Sequence, residues 1–153
     1  MDKIDRNILR RLQEDSTLPI AKLADLVGLS QTPCWRRVQN LEKSGVIRGR
    51  VALLERSAMN VGVTVFVSVR TSQHNQQWLD KFSRVVAAFP EVVEFYRMSG
   101  EVDYLLKIVV PDIAAYDAAY KRLIESIDLH DVSSSFAMEE LKCTTALPVE
   151  YAN

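Results

Sequence analysis

Three short stretches at the start of the chain repeat apolar residues at the spacing of a helix. Ile4, Ile8, Leu9 and Leu12 form the first, with Asp2 placed to cap it. Ile20, Leu23, Ala24 and Val27 form the second. Pro19 suits its first turn and Gly28 its end. Cys34, Val38 and Leu41 form the third, with Ser30 or Thr32 as cap, Pro33 in the first turn and Gly45 after the last. A tight Gly28-Leu29-Ser30 turn separates the second and third helices, which is the helix-turn-helix layout.

The pattern then changes period. Residues 61–69 (VGVTVFVSV) carry valine at every odd position and predict a strand. Trp78, Phe82, Val85, Val86 and Phe89 predict a helix stopped by Pro90. Residues 92–98 and 102–110 predict two strands joined by a tight Ser99-Gly100-Glu101 turn. Asp112 caps a further helix with Ile113, Tyr116, Tyr120, Leu123, Ile124 and Ile127 inside, and residues 131–142 predict a last strand. The order is β-α-β-β-α-β, the ferredoxin-like split motif, so the fold class is α+β. Such a sheet has one face covered by helices and one open. The central strands are apolar on both sides, through Val65, Phe66 and Val67 and through Tyr104, Leu105 and Leu106. A second copy packing on the open face would resolve this, so a dimer is expected.

The third helix carries the chemistry. At 100° per residue, Cys34, Val38 and Leu41 fall within about 60° of one another and form its buried stripe. Thr32, Arg36, Gln39, Asn40 and Lys43 point away, with Arg37 at the edge and Glu42 at the border of the stripe. An outward face of Arg, Gln and Asn can read base edges in a major groove, while Lys and Thr reach phosphates. Ser30, Gln31 and Arg48 complete the expected DNA-contacting set. The alternative is a plain solvated face. Trp35, beside the stripe, is expected to pack against the first helix. After Gly45, VIRGRVALL reads as a short extended segment, with Arg48 and Arg50 on a basic wing or an exposed loop.

Charge follows the same division. Up to residue 50 there are ten Lys/Arg against six Asp/Glu, and beyond it nine against fourteen. The first part therefore suits a polyanion better than the rest. The opening MDKIDRNILRRL is amphipathic and acid-bearing, unlike a signal peptide, so a cytoplasmic protein is expected. Cys34 and Cys143 form no CxxC and suggest neither disulfide nor zinc; Cys34 lies on the inward stripe as a small apolar residue. No HExxH, GxSxG, P-loop or GxGxxG occurs, and neither His74 nor His130 has a partner at motif spacing. No catalytic residue, metal or cofactor is expected.

The stretches DKIDRNILRRLQEDS, LADLVGLSQTPCWRRVQNLEKSGVI, MSGEVDYLLKI and SSSFAMEELK together resemble the Lrp/AsnC (feast/famine) family of transcriptional regulators, and within it the subgroup with TPCWRR in the recognition helix. The resemblance covers nearly the whole chain. It implies a winged helix-turn-helix domain at 1–50, a linker at 51–60, and a ferredoxin-like effector-binding and oligomerisation domain at 61–153. It further implies a homodimer, or a higher assembly such as an octamer, that binds double-stranded DNA and responds to an amino acid or related metabolite. The family's effector loop falls on Met98, Gly100, Glu101, Asp103 and Tyr104. Ser133, Ser134, Ser135 and Phe136 of the last strand are expected to approach it across a subunit interface. Backbone N–H groups at the Gly100 turn can hold an α-carboxylate, and Asp103 can meet an ammonium or lock the loop. In the plainer alternative, Gly100 only makes the turn and Asp103 only caps local amides. Two other readings stay open. One is an architectural DNA-binding protein without an effector. The other is an enzyme similar to the siroheme decarboxylases, which need histidines near a porphyrin; His74 and His130 do not fall on predicted sheet-face positions.

Overall fold

A computed structural model describes residues 1–73 and 75–152. Two compact units emerge: Met1–Leu53 together with the C-terminal stretch from Leu141, and Leu54–Glu140.

The first unit holds helices α1 (Lys3–Glu14), α2 (Ile20–Val27) and α3 (Gln31–Lys43). Asp2 caps α1 through a reciprocal box: the Asp5 N–H donates to its carboxylate at 2.8 Å, and its own N–H donates to Asp5 at 3.2 Å. Gly28 ends α2 in the left-handed region at φ 72°, where a Cβ would be strained, and so allows the sharp turn into α3. Ser30 occupies the N-cap of α3, but its side chain makes no capping bond. Ile8, Leu23, Ala24, Cys34, Val38 and Leu41 form the core of the unit. Among the described residues no strand forms between Lys43 and Val63. The extended wing expected from VIRGRVALL therefore has no ladder in one chain, because extended backbone gains hydrogen bonds only against a partner strand.

The second unit holds β1 (Val63–Arg70), α4 (Gln76–Ala87), β2 (Val92–Arg97), β3 (Tyr104–Val110), α5 (Ile113–Ser126) and β4 (Asp131–Phe136). The sheet order is β2-β3-β1-β4, with every neighbouring pair antiparallel. Val65, Val67 and Val69 of β1 are fully buried, and Tyr104, Leu106, Ile108 and Val110 of β3 lie beside them. Trp78, Phe82 and Val86 of α4 and Tyr116 and Leu123 of α5 complete this core. Ile113 and Ile124, expected inside, are exposed: α5 turns its narrower Tyr116-Ala119-Leu123 stripe to the sheet. The last strand stops at Phe136 rather than 142: its ladder with β1 runs from Asp131 to Phe136 and closes with the Ala137 N–H donating to the Thr64 carbonyl at 2.9 Å, one residue short of the start of β1 at Val63. Residues 137–140 follow without regular structure. The expected linker also differs. Arg56 donates to the Val61 carbonyl at 3.0 Å and to the Thr64 hydroxyl at 2.6 Å, which stitches this stretch to the start of β1.

The C-terminal stretch was expected to belong with the sheet and instead clasps α1. Gln13 exchanges two hydrogen bonds with the Leu147 backbone, Arg6 donates to the Ala152 carbonyl at 2.6 Å, and Arg10 pairs with Glu150 at 2.7 Å. Arg6, Arg10 and Gln13 share one face of α1 at i, i+4 and i+7. Val149 is buried beneath them. Deleting residues 147–153 is expected to cost the helix-turn-helix unit about 1–3 kcal/mol, read as a lower thermal midpoint. An unchanged midpoint would show the clasp to be energetically idle.

Candidate nucleic-acid interface and effector site

On α3 the buried stripe is the expected one: Cys34, Val38 and Leu41 face the core. Burial pushes the Cys34 thiol up from its ordinary pKa, so it stays a protonated apolar filler. Gln31, Thr32, Arg36, Asn40 and Lys43 are exposed on the outward side, as are Ser30 and Arg48 beyond the helix. Two expected members of this set are engaged instead. Gln39 donates to Glu42 at 3.0 Å. Arg37 donates to both Asp2, at 2.6 Å, and Asp5, at 2.7 Å. Glu42 is in turn bound by Arg50 at 3.0 Å, so the one acid on α3 is paired. Trp35, on the flank of the stripe, is 51% exposed. A helix whose buried stripe is only three residues wide leaves its flanks to solvent. A groove of about 600 Å³ runs beside α3, lined by Arg36, Arg37, Asn40 and Ser44 with Asp5 across from them.

In the second unit the hairpin turn is tied down from three sides. The Met98 N–H donates to the Asp103 carbonyl at 2.8 Å, the Asp103 N–H to the Val69 carbonyl at 3.0 Å, and the Thr71 N–H to the Asp103 carboxylate at 2.8 Å. Asp103 thus locks the loop between β2 and β3 to the end of β1. Gly100 has φ 114°, and a Cβ there would meet nothing within 4 Å. The backbone conformation calls for glycine, not close packing within the chain. Met98, Ser99, Gly100 and Glu101 are exposed. Tyr104 is largely buried but, as expected of a site residue, lines the small notch beside Asp103. Its ring is buried between Trp78, Phe82 and Phe95 at centroid distances of 5.8, 5.1 and 5.8 Å.

A polar notch of about 120 Å³ opens beside Asp103, lined also by Gln73, Asn75, Gln76, Arg97 and Met98. Sequence reasoning missed Thr71 and Arg97: Thr71 reaches Asp103 through the pairing of β1 with β3 across 32 positions, whereas Arg97 faces Tyr104 across the β2-β3 hairpin itself. Ser133–Phe136 lie on β4, separated from β3 by β1, so one chain does not bring them onto the hairpin. Their faces also split. Ser134 hydrogen-bonds the Tyr116 hydroxyl and Phe136 meets the Tyr116 ring edge-on at 5.2 Å, both on the helix side. Ser133 and Ser135 alternate to the open face. Burial holds the Tyr116 hydroxyl above its ordinary pKa against the opposing pull of Ser134. Near this end of the sheet Arg70 approaches Glu101 at 3.5 Å and Asp131 at 3.9 Å, linking the hairpin to the start of β4.

His130 is exposed in the loop before β4, and His74 lies outside the described residues. Among the described residues no group of three His, Cys, Asp or Glu could hold a metal ion, and no helix is long and apolar enough to cross a membrane.

Comparison with known proteins bears on both units. A family model for a winged helix-turn-helix DNA-binding domain matches residues 1–48, and one for the Lrp/AsnC ligand binding domain matches residues 64–147. The DNA-binding transcriptional activator DecR of Escherichia coli is 48% identical over 98% of this chain and 99% of its own length. The crystal structure of an AsnC family transcriptional regulator from Agrobacterium tumefaciens superposes with a TM-score of 0.98 at 65% identity, covering 100% of both chains. A transcriptional regulator from Neisseria meningitidis, solved as its L-Met complex, superposes with a TM-score of 0.92 at 35% identity over 97% of both chains.

Proposed function

Since the chain belongs to the Lrp/AsnC family of DNA-binding transcriptional regulators, we propose that α3 reads base edges through Arg36 and Asn40 and that the hairpin end of the sheet senses an amino acid. The observation that carries the first half is the exposed Arg36-Asn40-Lys43 face, on a helix whose one acid, Glu42, is already paired. Arg36 is suited to a bidentate guanine contact and Asn40 to adenine. Gln31, Thr32, Lys43 and Arg48 serve the phosphates, and Trp35 adds an apolar surface among them. Arg36→Ala is expected to weaken binding to a selected duplex by about 1–3 kcal/mol and to relax its sequence preference. Equal weakening on random duplex would demote Arg36 to a phosphate contact.

The effector half rests on the notch beside Asp103 and the backbone donors of the Gly100 turn. The relative from Neisseria meningitidis holds L-Met, which supports an amino acid as the ligand class. Arg97 and Asp103 supply both signs of charge that a zwitterion needs. The ligand-binding assembly is completed by a second copy. Phe66, Leu105, Val109 and Tyr96 share the open sheet face, and Phe66 and Tyr96 are 37% and 50% exposed. Packing that face against its twin buries them and makes a dimer the smallest working unit, with octamers built from it. Glu94 sits on the same face, held below the usual carboxylate range by Lys107 and the Tyr96 hydroxyl, so its charge is compensated before burial. We assign the chain no reaction and no cofactor, and its DNA partner places its work in the cytoplasm. A thermal-shift screen against the twenty amino acids tests the sensing reading, because a ligand of the folded state raises the midpoint by mass action. Silence at millimolar concentrations would favour an architectural DNA-binding role.

A further inference from the structure

We propose that Arg37, although it lies on the recognition helix, is not a DNA contact but a positioning residue that fixes the direction in which Arg36 and Asn40 point. The inference rests on α3 being the reading helix. Asp2 and Asp5 use all four of their carboxylate oxygens in one closed network. Asp2 Oδ1 accepts from the Asp5 N–H, Asp5 Oδ2 accepts from the Asp2 N–H, and the remaining oxygen of each accepts from Nη1 of Arg37. The capping box that starts α1 therefore ends on the side of α3. The Asp5 and Asp2 carboxylates raise the Arg37 guanidinium above its ordinary pKa. The Asp5 backbone N–H, then Arg37, holds Asp2 below its own.

Two consequences follow for DNA. Two carboxylates share one guanidinium, so the pairing leaves no net positive charge at this point to attract a phosphate. The corner beside the N-terminus of α1 then marks an edge of the footprint rather than part of it. The pairing also acts on geometry. Arg36 precedes Arg37 and Asn40 follows it by one turn, so a side-chain anchor at Arg37 opposes rotation of α3 about its axis. A bidentate contact to a base edge requires both hydrogen bonds at once and loses one with a small rotation. The Arg37–Asp2 pair is exposed and the Arg37–Asp5 pair only partly buried, and neither carboxylate belongs to the apolar core of the unit, so variants of this network are expected to fold, which a thermal midpoint checks.

The test is anisotropy titration of the full-length protein on two duplexes across a salt series: one selected by the wild-type protein from random sequence, and one random. Arg37→Ala should weaken the selected duplex by about tenfold and leave the random duplex and the salt slope unchanged. Arg37→Lys, whose ammonium can still bridge both carboxylates, should recover most of the discrimination. Asp5→Asn should weaken the selected duplex in the same direction. A fall of about 0.9 in the salt slope with equal weakening of both duplexes would make Arg37 a phosphate contact and overturn the proposal. So would tighter binding by Asp5→Asn, which would mean that the carboxylate was restraining a DNA-seeking arginine. Discrimination lost in Arg36→Ala but kept in Arg37→Ala would overturn the role of Arg37 alone. Discrimination kept in both would overturn α3 as the reading helix, and the positioning role with it.

Discussion

Phe82→Ala is expected to destabilise the sheet unit by about 3–5 kcal/mol, the range for truncating a fully buried aromatic. Phe82 is 0% exposed on the inner face of α4. Its ring meets Trp78 at 4.9 Å, Tyr104 at 5.1 Å and Phe95 at 5.3 Å, the last two edge-on, so removing it breaks three ring contacts as well as leaving a cavity. Whole domains are stable by only about 5–15 kcal/mol, so this loss takes a large share. It should lower the melting temperature of this unit by more than about 10 °C. The effect reaches function through Tyr104, which is the neighbour of Asp103 and is held by the same rings. A variant that still folds should have a looser hairpin and a weaker effector response. Chemical denaturation measures the first effect. A loss under about 1 kcal/mol would mean that the surrounding rings collapse into the space and that Tyr104 does not depend on Phe82.

Much of this architecture is written in local spacing. The three helices of the first unit follow from Ile4-Ile8-Leu12, Leu23-Val27 and Cys34-Val38-Leu41, and the alternation through Val65, Val67 and Val69 fixes which way β1 faces. The burial of Tyr104 was legible too. Lys107 is the one charged residue of YLLKIVV, and its position assigns odd numbers to the open face and Tyr104, Leu106, Ile108 and Val110 to the core. What spacing could not supply is long-range pairing. Arg37 meets Asp2 and Asp5 only because α1 and α3 pack together, although Asp2-x-x-Asp5 has the outline of a capping box. Gln13 meets Leu147 across 134 positions, in a stretch with no periodicity to betray it. Thr71 meets Asp103 because β1 and β3 are paired. The half-exposure of Trp35 lies beyond spacing for another reason. A wheel places it only 60° from the stripe, and the stripe's real width depends on how much of α3 the other two helices can cover.

The effector site gives the other large effect. Asp103→Ala is expected to leave DNA binding without effector unchanged and to abolish the response to the amino acid found by thermal shift. The carboxylate is the acceptor for the N–H of Thr71, a residue only 8% exposed. Alanine leaves that donor unpaired at a cost of about 1–3 kcal/mol, carried by the loop that joins β1 to α4. The backbone bonds from Met98 and to Val69 survive, so the hairpin itself persists and the damage is confined to the notch. Asp103→Asn separates the two ways in which the residue could act. The amide oxygen can still accept from Thr71, but the charge is gone. If Asp103 serves to lock the loop, the asparagine variant keeps a response at a somewhat higher effector concentration. If the carboxylate itself meets the ligand's ammonium, asparagine fails as completely as alanine, because a charge-assisted bond is replaced by a neutral one that presents the wrong partner. The three bonds that converge on Asp103 favour the lock. A full response in Asp103→Ala would remove the residue from the site and move the search to Arg97 and the Gly100 turn.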